Sequence, residues 1–290
     1  MKINPRTITY VKAIAEQRSF SRAAEKLYIT QPSLSQHIIN VEKEYGVQFF
    51  DRRSNPITLT YAGEQFLKIA NKMEFLDQEL SREMEDINGG TTGRISVGVS
   101  PTRGAWFIPK LFAQFKKQYP NVELKLIEGH NKELLEDVHN GKVDFAFTGY
   151  GNSDLKDIVI DKRHILLAVN KNSSPSPKDD INLADFLDEP FVLLKKGRGI
   201  RRIADKLFER ENIHPIISYE TSNYNMAVKM TQHGLGNTFV VDNATDEFSG
   251  LQLYHIKNAQ ETYQLHLVYR TDIYMSRPLQ YFIDLAKSIN

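Results

Sequence analysis

The stretch Ser19–Leu67, SFSRAAEKLYITQPSLSQHIINVEKEYGVQFFDRRSNPITLTYAGEQFL, decides the fold of the N-terminal part of the chain. Ser21 is predicted to cap a short helix that ends at Leu27, because a serine hydroxyl can accept a hydrogen bond from a free N–H group of the first turn. Thr30 is predicted to cap a second helix, which runs to about Tyr45. Two helices joined by such a tight turn are typical of a helix-turn-helix.

The second of these helices is predicted to be amphipathic. Its apolar side chains recur at helical spacing and predict a buried stripe: Leu34, Ile38, Val41 and Tyr45. Polar side chains fall on or near the outer face: Gln31, Ser33, Ser35, Gln36, His37 and Asn40. Such side chains reach base edges and phosphates when a recognition helix enters the major groove. The alternative is a small helical domain whose polar face only meets water.

A β-hairpin is predicted directly after this helix. Residues 46–53 and 57–60 have the composition of strands, and Ser54-Asn55-Pro56 has that of a turn. Arg52 and Arg53 fall near the tip of the hairpin. In a winged helix-turn-helix they would lie beside the DNA backbone or the minor groove.

A long helix is predicted over residues 64–88. Its apolar side chains recur at alternating steps of three and four: Phe66, Ile69, Met73, Leu76, Leu80 and Ile87. This stripe predicts a dimerisation helix, and the alternative is a single helix packed on its own domain. The charge changes sign at the same point, because residues 1–63 hold nine basic and five acidic side chains and residues 64–88 hold three and seven. This asymmetry favours a DNA-facing part followed by a part that faces elsewhere.

The composition limits the classes of function. The chain has 290 residues and no cysteine, which excludes disulfides, thiolate metal sites and a cysteine nucleophile. No apolar run approaches the ~18 residues of a membrane span, and the first residues lack a signal-peptide pattern, so we expect a cytoplasmic protein without membrane contact. The eight histidines lack metal-site spacing, and no P-loop or nucleophile elbow occurs. We therefore expect no metal, no cofactor and no catalytic activity.

Strand and helix patterns alternate after Gly93. This alternation predicts an α/β region with an open, mainly parallel sheet and a crevice at the carboxyl ends of its strands. The length of the region suits two such subdomains.

The N-terminal segment resembles the winged helix-turn-helix of LysR-type transcription regulators. The matching positions are Ala23-Ala24, Leu27, Thr30-Gln31-Pro32-Ser33-Leu34-Ser35, Ile38, Glu42, Gly46, Phe49-Phe50-Asp51-Arg52 and Leu59-Thr60-Tyr61-Ala62-Gly63. The resemblance implies base or phosphate contacts from Gln31, Pro32, Ser33, Ser35, Gln36 and Arg53. The predicted DNA-binding set also includes Ser21, Arg22, Thr30, His37 and Arg52. The family commonly has arginine where this chain has Gln36, and glutamine favours adenine where arginine favours guanine, so we predict a different base preference.

The remaining chain resembles the effector domain of the same family. The quoted stretches are ISVGVSPTRGAWFIPKLFAQFKKQYPNVEL from Ile95, EGHNKELLEDVHNGKVDFAFTG from Glu128 and HGLGNTFV from His233. The implied fold is α/β with an N-terminal α-rich winged helix-turn-helix, and the effector domain is of the periplasmic-binding-protein type 2. In that fold the chain crosses twice between two α/β lobes, and a ligand lies between them.

In that arrangement the ligand meets strand ends and helix N-termini, whose free N–H groups favour anions. The basic stretch Lys195–Arg201 strengthens this tendency, so we infer a small anionic effector such as a carboxylate metabolite. The predicted effector-binding residues are Ser100, Thr102, Thr148, Gly149, Arg198, Gly199, Ile200 and Thr221. Alternatively, the basic stretch is a solvated loop, and Ser100 and Thr102 only cap a helix.

The predicted organisation has four parts. These are a DNA-binding domain at 1–63, a dimerising linker helix at 64–88, a first effector-binding lobe at 89–161 plus 267–290, and a second lobe at 162–266. The expected partners are double-stranded DNA with a partly palindromic operator, a small anionic effector and further copies of the chain in a homodimer or homotetramer, with RNA polymerase as another candidate. Two other classes stay open: a solute-binding protein joined to a protein-interaction helix bundle, and an enzyme that uses the cleft.

Overall fold

The computed structural model describes residues 4–87, 89, 92–173, 180–242 and 248–289. Contacts within the chain divide it into two units. The first comprises Met1–Gly93, His139–Lys142 and Ile273–Ser276; the second comprises Arg94–Val138, Val143–Asp272 and Arg277–Asn290. The helix stop predicted at residues 88–90 lies outside the described residues except for Gly89.

The first unit begins with three helices, α1 (Pro5–Gln17), α2 (Phe20–Lys26) and α3 (Gln31–Tyr45). A two-stranded antiparallel hairpin of β1 (Phe50–Asp51) and β2 (Thr58–Leu59) follows. A 27-residue helix, α4 (Tyr61–Ile87), completes the unit. The predicted helix-turn-helix and wing are therefore present, with strands shorter than their sequence pattern indicated.

The helix caps follow the sequence at α3 but not at α2. Thr30 has extended backbone and its hydroxyl accepts a hydrogen bond from the Ser33 N–H, so the predicted cap of α3 is confirmed. The cap predicted at Ser21 is wrong. Ser19 caps α2 instead, because its backbone is extended and its hydroxyl accepts from the Arg22 N–H at 3.4 Å. This earlier start brings Phe20 into the helix, where its ring is buried.

One apolar core holds the first unit together. Its buried members come from α1, α2, α3, the hairpin and the start of α4: Ile8, Tyr10, Val11, Ala13, Ile14, Phe20, Ala23, Ala24, Leu34, Ile38, Phe49, Phe50, Phe66 and Ala70. Ala23 and Ala24 are fully buried, as expected where small side chains let helices approach closely.

The second unit alternates strands and helices. Its first elements are β3 (Arg94–Val99), α5 (Pro101–Gln118), β4 (Glu123–Glu128), α6 (Asn131–His139), β5 (Phe145–Thr148), β6 (Lys156–Asn170), β7 (Asp180–Ile181) and β8 (Pro190–Leu194). The later ones are α7 (Gly199–Arg210), β9 (Ile216–Thr221), α8 (Tyr224–Gln232), β10 (Thr238–Val241), β11 (Leu251–Ile256), β12 (Thr262–Tyr269) and α9 (Arg277–Ser288).

The sheet of the second unit is mixed, which corrects the prediction of a mainly parallel sheet. Seven strands are ordered β4-β3-β5-β12-β6-β11-β7, and β10 also pairs with β6. The pairs β3–β4, β3–β5 and β7–β11 are parallel, as is the pair β8–β9, which forms a separate two-stranded sheet. The pairs that involve β6 or β12 are antiparallel. The crossover rule that predicts parallel pairing applies to strands joined by a helix, and β6 and β12 are not joined that way.

Strands β6 and β12 connect the two halves of the second unit. The first residues of β6 pair with the end of β12, which also pairs with β5. The later residues of β6 pair with β10 and β11. The register between β6 and β12 shifts between Leu265 and His266. The chain thus passes twice between the halves, and the lobe boundaries predicted at 161/162 and 266/267 fall inside these two strands.

In the described part of the chain, no helix is both long enough and apolar enough to cross a membrane.

Candidate nucleic-acid interface and effector cavity

Helix α3 buries one face and presents the other. Leu34 and Ile38 are fully buried, whereas the predicted base-reading residues at its N-terminal end are exposed: Gln31, Pro32, Ser33 and Gln36. Ser35 is half-buried. The side-chain amide of Gln36 donates to Oδ1 of Asn40 at 2.9 Å, one turn later on the same face. This contact joins the two amide side chains on the outer face.

His37 faces helix α1 instead of the solvent side of α3. Its Nε2 atom lies 2.9 Å from the Thr7 hydroxyl, and its ring packs edge-on against Tyr10 at 4.9 Å between centroids. Burial lowers the pKa of His37, and the positive charge of Arg6 lowers it further. The imidazole thus positions α3 on α1, and its predicted DNA contact stays a prediction.

The two arginines of the wing differ in their surroundings. The Arg52 Nη2 atom donates to Glu42 Oε2 at 2.9 Å, and its guanidinium lies over the Phe20 ring at 5.1 Å. The other oxygen of this buried carboxylate accepts the backbone N–H of Phe49 at 2.8 Å. Arg52 thus ties the wing to the helices while remaining on the exposed side of the wing, and its DNA contact stays a prediction. Arg53 is exposed on the wing, and Ser21 and Arg22 are exposed at the start of α2.

The stripe on α4 divides into a buried beginning and an exposed remainder. Phe66, which was predicted in the dimerisation stripe, stacks on Phe49 at 4.6 Å and is buried in the core of the first unit, so it is not exposed to a second chain. The same spacing of apolar residues runs from this core into the exposed part of α4. Periodicity alone therefore cannot tell a core position from an exposed apolar position. The later apolar side chains are exposed in the monomer: Ile69, Met73, Leu76, Leu80, Met84 and Ile87.

A cavity of about 320 Å³ lies in the second unit, where three helices begin. Its residues come from the starts of α5, α6 and α7 and from nearby strands and loops: Ser100, Thr102, Arg103, His130, Asn131, Lys132, Tyr150, Leu194, Lys196, Gly197, Arg198, Gly199, Ile200, Arg202 and Tyr263. Five of them are Lys or Arg and none is Asp or Glu. Helix N-termini add partial positive charge, so the arrangement favours an anion.

Arg103 forms the buried wall of this cavity. It is only 4% exposed, and its Nε atom donates to the Gln264 carbonyl at 2.9 Å. Its guanidinium lies 4.0 Å from the centre of the Tyr263 ring. Burial lowers the pKa of Arg103, and among the other contributions the nearby charge of Arg202 lowers it as well.

The predicted effector-binding residues separate into two groups. Five line the cavity: Ser100, Thr102, Arg198, Gly199 and Ile200. Thr148 and Thr221 do not line it, because the hydroxyl of Thr148 donates to the Tyr150 carbonyl and that of Thr221 is bonded to Met226 and the Asn223 N–H. Gly149 is packed against the Arg103 guanidinium. Strand-end position alone does not determine which way a hydroxyl points.

Sequence reasoning missed several cavity residues: Arg103, Lys132, Tyr150, Arg202 and Tyr263. Arg103 and Lys132 lie in the first turns of α5 and α6, so cations near helix starts were the available signal. Tyr263 had no comparable signal, because β12 brings it to the cavity from the far end of the chain. In the residues that the structure describes, no cluster of His, Asp or Glu could hold a metal ion.

Two family models together cover nearly the whole chain. Residues 5–64 match the helix-turn-helix of bacterial regulatory proteins of the lysR family. Residues 88–289 match the LysR substrate binding domain.

Individual proteins agree with these matches. A probable RuBisCO transcriptional regulator of Cyanidium caldarium is 32% identical over 257 residues, which is 86% of this chain and 81% of that protein. An uncharacterized HTH-type transcriptional regulator of Bacillus subtilis, YybE, is 30% identical and covers 81% of each chain. The crystal structure of CbnR, a LysR family transcriptional regulator, covers 98% of both chains at 20% identity with a TM-score of 0.71. The chain belongs to the LysR family of DNA-binding transcription regulators.

Proposed function

We propose that this regulator responds to a small anionic metabolite bound in the cavity at the starts of α5, α6 and α7. The observation that carries the proposal is the buried Arg103 guanidinium among four other cationic side chains, with no carboxylate in the lining. Similar proteins support a ligand in this domain, because the effector binding domain of QuiR in complex with shikimate has the same fold, with a TM-score of 0.59 at 23% identity.

DNA is contacted through the exposed start of α3 and through Arg53 on the wing. A solved complex of full-length CbnR with its target DNA, at 21% identity and a TM-score of 0.71, supports this mode of binding. The proposed contacts are Gln31, Pro32, Ser33, Ser35 and Gln36 on α3, Arg53 on the wing, and Ser21, Arg22 and Thr30 beside them.

The protein acts as a homodimer or homotetramer joined through α4. After Phe66 is assigned to the core, six large apolar side chains remain exposed along one helix. A contiguous apolar stripe of this kind is characteristic of an interface. A partly palindromic operator also requires two helix-turn-helix domains, one for each half-site.

Calorimetry with the full-length protein tests the effector. We expect small carboxylates to bind and their uncharged amides to bind much more weakly; preferential binding of the neutral compounds would contradict the proposal. Because coupling between two sites is reciprocal, operator DNA selected from a random pool should change the carboxylate affinity by the factor by which the carboxylate changes the DNA affinity.

A further inference from the structure

The cavity in the second unit carries more positive charge than one carboxylate can balance. Its lining includes five Lys or Arg side chains: Arg103, Lys132, Lys196, Arg198 and Arg202. Lys196 lies near the Glu220 carboxylate, but a monoanion would leave the other three cations without a counter-charge from the lining of a space of about 320 Å³. Repulsion among the remaining cations would then stay uncompensated.

The guanidinium of Arg103 lines the cavity and is only partly engaged by neighbouring groups. Its Nε atom is used by the Gln264 carbonyl, and one face of the guanidinium is covered by Tyr263. The Nη1 atom is 3.4 Å from the Ser100 hydroxyl, which is a long contact. The edge formed by Nη1 and Nη2 matches the paired oxygens of a carboxylate or a phosphate.

A second buried arginine shows how this protein balances such a charge internally. Arg201 is also 4% exposed, but its Nε atom donates to Asp205 at 2.6 Å and its Nη1 atom is bonded to Glu220. Within the described part of the chain, Arg103 forms no ion pair with an Asp or Glu. A buried charge without a counter-ion is costly, so Arg103 is expected to be balanced by a ligand.

Two glycines pack against Arg103: Gly149, which follows β5, and Gly199, which begins α7. A Cβ atom at Gly149 would lie 2.3 Å from its Nη2 atom, and one at Gly199 would lie 3.1 Å from it. Gly199 is the first residue of α7, and the preceding Arg198 provides no side-chain cap. Arg202 follows one turn later and is exposed. An anion held by Arg103 therefore has a second cationic position within the same small cavity.

We propose that the effector carries at least two negatively charged groups, one bound bidentately by Arg103 and another bound by Arg198 and Arg202 at the start of α7. This inference rests on the proposed function, in which the cavity is the effector site. Carboxylate and phosphate both fit the guanidinium edge, so the ligand class is a compact dianion or trianion: a dicarboxylate, a tricarboxylate or a phosphorylated hydroxy acid.

Matched ligands test the number of charges directly. Full-length protein is titrated calorimetrically with succinate and its monoamide, with citrate, and with 3-phosphoglycerate, glycerol 3-phosphate and glycerate, at constant ionic strength in chloride. The carboxylate and phosphate arms distinguish the two sources of the second charge. Succinate is compared with its monoamide, and 3-phosphoglycerate with glycerate. In the pair that binds more tightly, we expect the multiply charged ligand to have an affinity at least about tenfold higher than that of the singly charged one.

Variants test the residues. Arg103→Met should abolish this binding and raise the melting temperature of the ligand-free protein, because it removes a buried charge that lacks a counter-ion. Arg103→Lys keeps the positive charge but loses the paired N–H donors of the guanidinium. It should weaken anion binding without raising the melting temperature. Arg202→Gln should weaken the multiply charged ligands more than the singly charged ones. Arg210→Gln is the matched control on α7, because Arg210 is paired with Glu261 outside the cavity.

The outcomes separate this inference from the proposed function. Equal affinity for singly and multiply charged ligands, lost in Arg103→Met, would overturn the two-group inference and leave an anion site in place. Full binding in Arg103→Met would overturn the role of Arg103. Absence of binding by every anion in the panel, with DNA binding intact, would overturn the proposed anionic effector itself.

Discussion

The guanidinium of Arg103 lies 4.0 Å from the centre of the Tyr263 ring, and both side chains are buried in the second unit. A cation over an aromatic face is attracted by the electron-rich ring, more strongly where water is excluded. The same ring shields one face of the guanidinium, so the cation is presented to the cavity by its edge. Tyr263 is therefore expected to position Arg103.

Replacing Tyr263 should weaken anion binding through Arg103. We expect Tyr263→Leu to lower the affinity for the best-binding anion by about threefold to thirtyfold, which corresponds to ~0.6–2 kcal/mol of lost cation–π attraction. Tyr263→Phe is the control, because it keeps the aromatic face. Calorimetry of the three proteins measures the difference, and a loss in Tyr263→Phe equal to that in Tyr263→Leu would show that the hydroxyl matters instead.

Replacing Arg52 should change the stability of the first unit, whereas replacing Arg53 should change its affinity for DNA. Arg52→Ala is expected to destabilise the first unit by about 1–3 kcal/mol, because Glu42 would lose the partner of a largely buried carboxylate oxygen. Arg53→Ala should leave stability unchanged and weaken binding to DNA. A plot of the logarithm of DNA affinity against the logarithm of salt concentration should have a slope that is shallower by about one for this variant. Chemical denaturation and salt-dependent anisotropy measure the two quantities.

The contrast between the wing arginines separates local from distant information in the sequence. The Thr30 cap of α3 was predictable, because the hydroxyl and the N–H group that it accepts from lie within one turn. The role of Arg52 was not, because it depends on Glu42, ten residues earlier on α3. Arg103 was missed for the same reason at a larger scale, since Gln264, which accepts its Nε–H, is 161 residues further along the chain.

Long-range pairing also explains the error in the sheet. Most strands of the second unit have a local sequence pattern that predicts a strand, but the direction of β6 against β12 is not encoded in either strand. That direction depends on the path by which the chain returns after β11 so that β12 can pair with β5. The positive charge of the cavity was also only partly predictable. Its cations come from distant parts of the chain, and only those of the basic loop before α7 and its first turn are close together in the sequence.

His37 should make the stability of the first unit sensitive to mild acid. Its pKa is lowered by burial and then by Arg6, so the unfolded chain takes up a proton at a higher pH than the folded one. The stabilisation is present above the ordinary histidine pKa of about 6.5 and is lost as the pH falls through the lower pKa of the folded state. The melting temperature should thus fall between pH 7.5 and 5.5.

His37→Gln tests this assignment, because glutamine can still bond to the Thr7 hydroxyl but does not titrate in this range. The variant should lose part of the decrease in melting temperature between the two pH values. An unchanged decrease would assign the acid sensitivity to other groups.

The exposed stripe on α4 predicts the oligomeric state. Replacing Leu76 and Leu80 together by Lys should convert the protein to monomers at micromolar concentration, because both side chains are more than half exposed in the monomer and apolar. Sedimentation velocity measures the change. Asp77→Asn, on the same helix, is the control and should leave the assembly intact. A parent protein that is already monomeric would contradict the interface.

Gln36 should set part of the base preference. Its amide is exposed on the outer face of α3 and donates a hydrogen bond to Asn40. A glutamine amide pairs in two places with adenine, whereas arginine pairs with guanine, and one good pair of this kind discriminates by about 1–3 kcal/mol. DNA selected from a random pool by the parent protein should therefore carry adenine at one position of each half-site. Selection by Gln36→Arg should shift that position to guanine, and Gln36→Ala should relax it while phosphate-dependent affinity persists. If all three proteins select the same base there, another residue reads that position, because the exchange at residue 36 alters no other base contact.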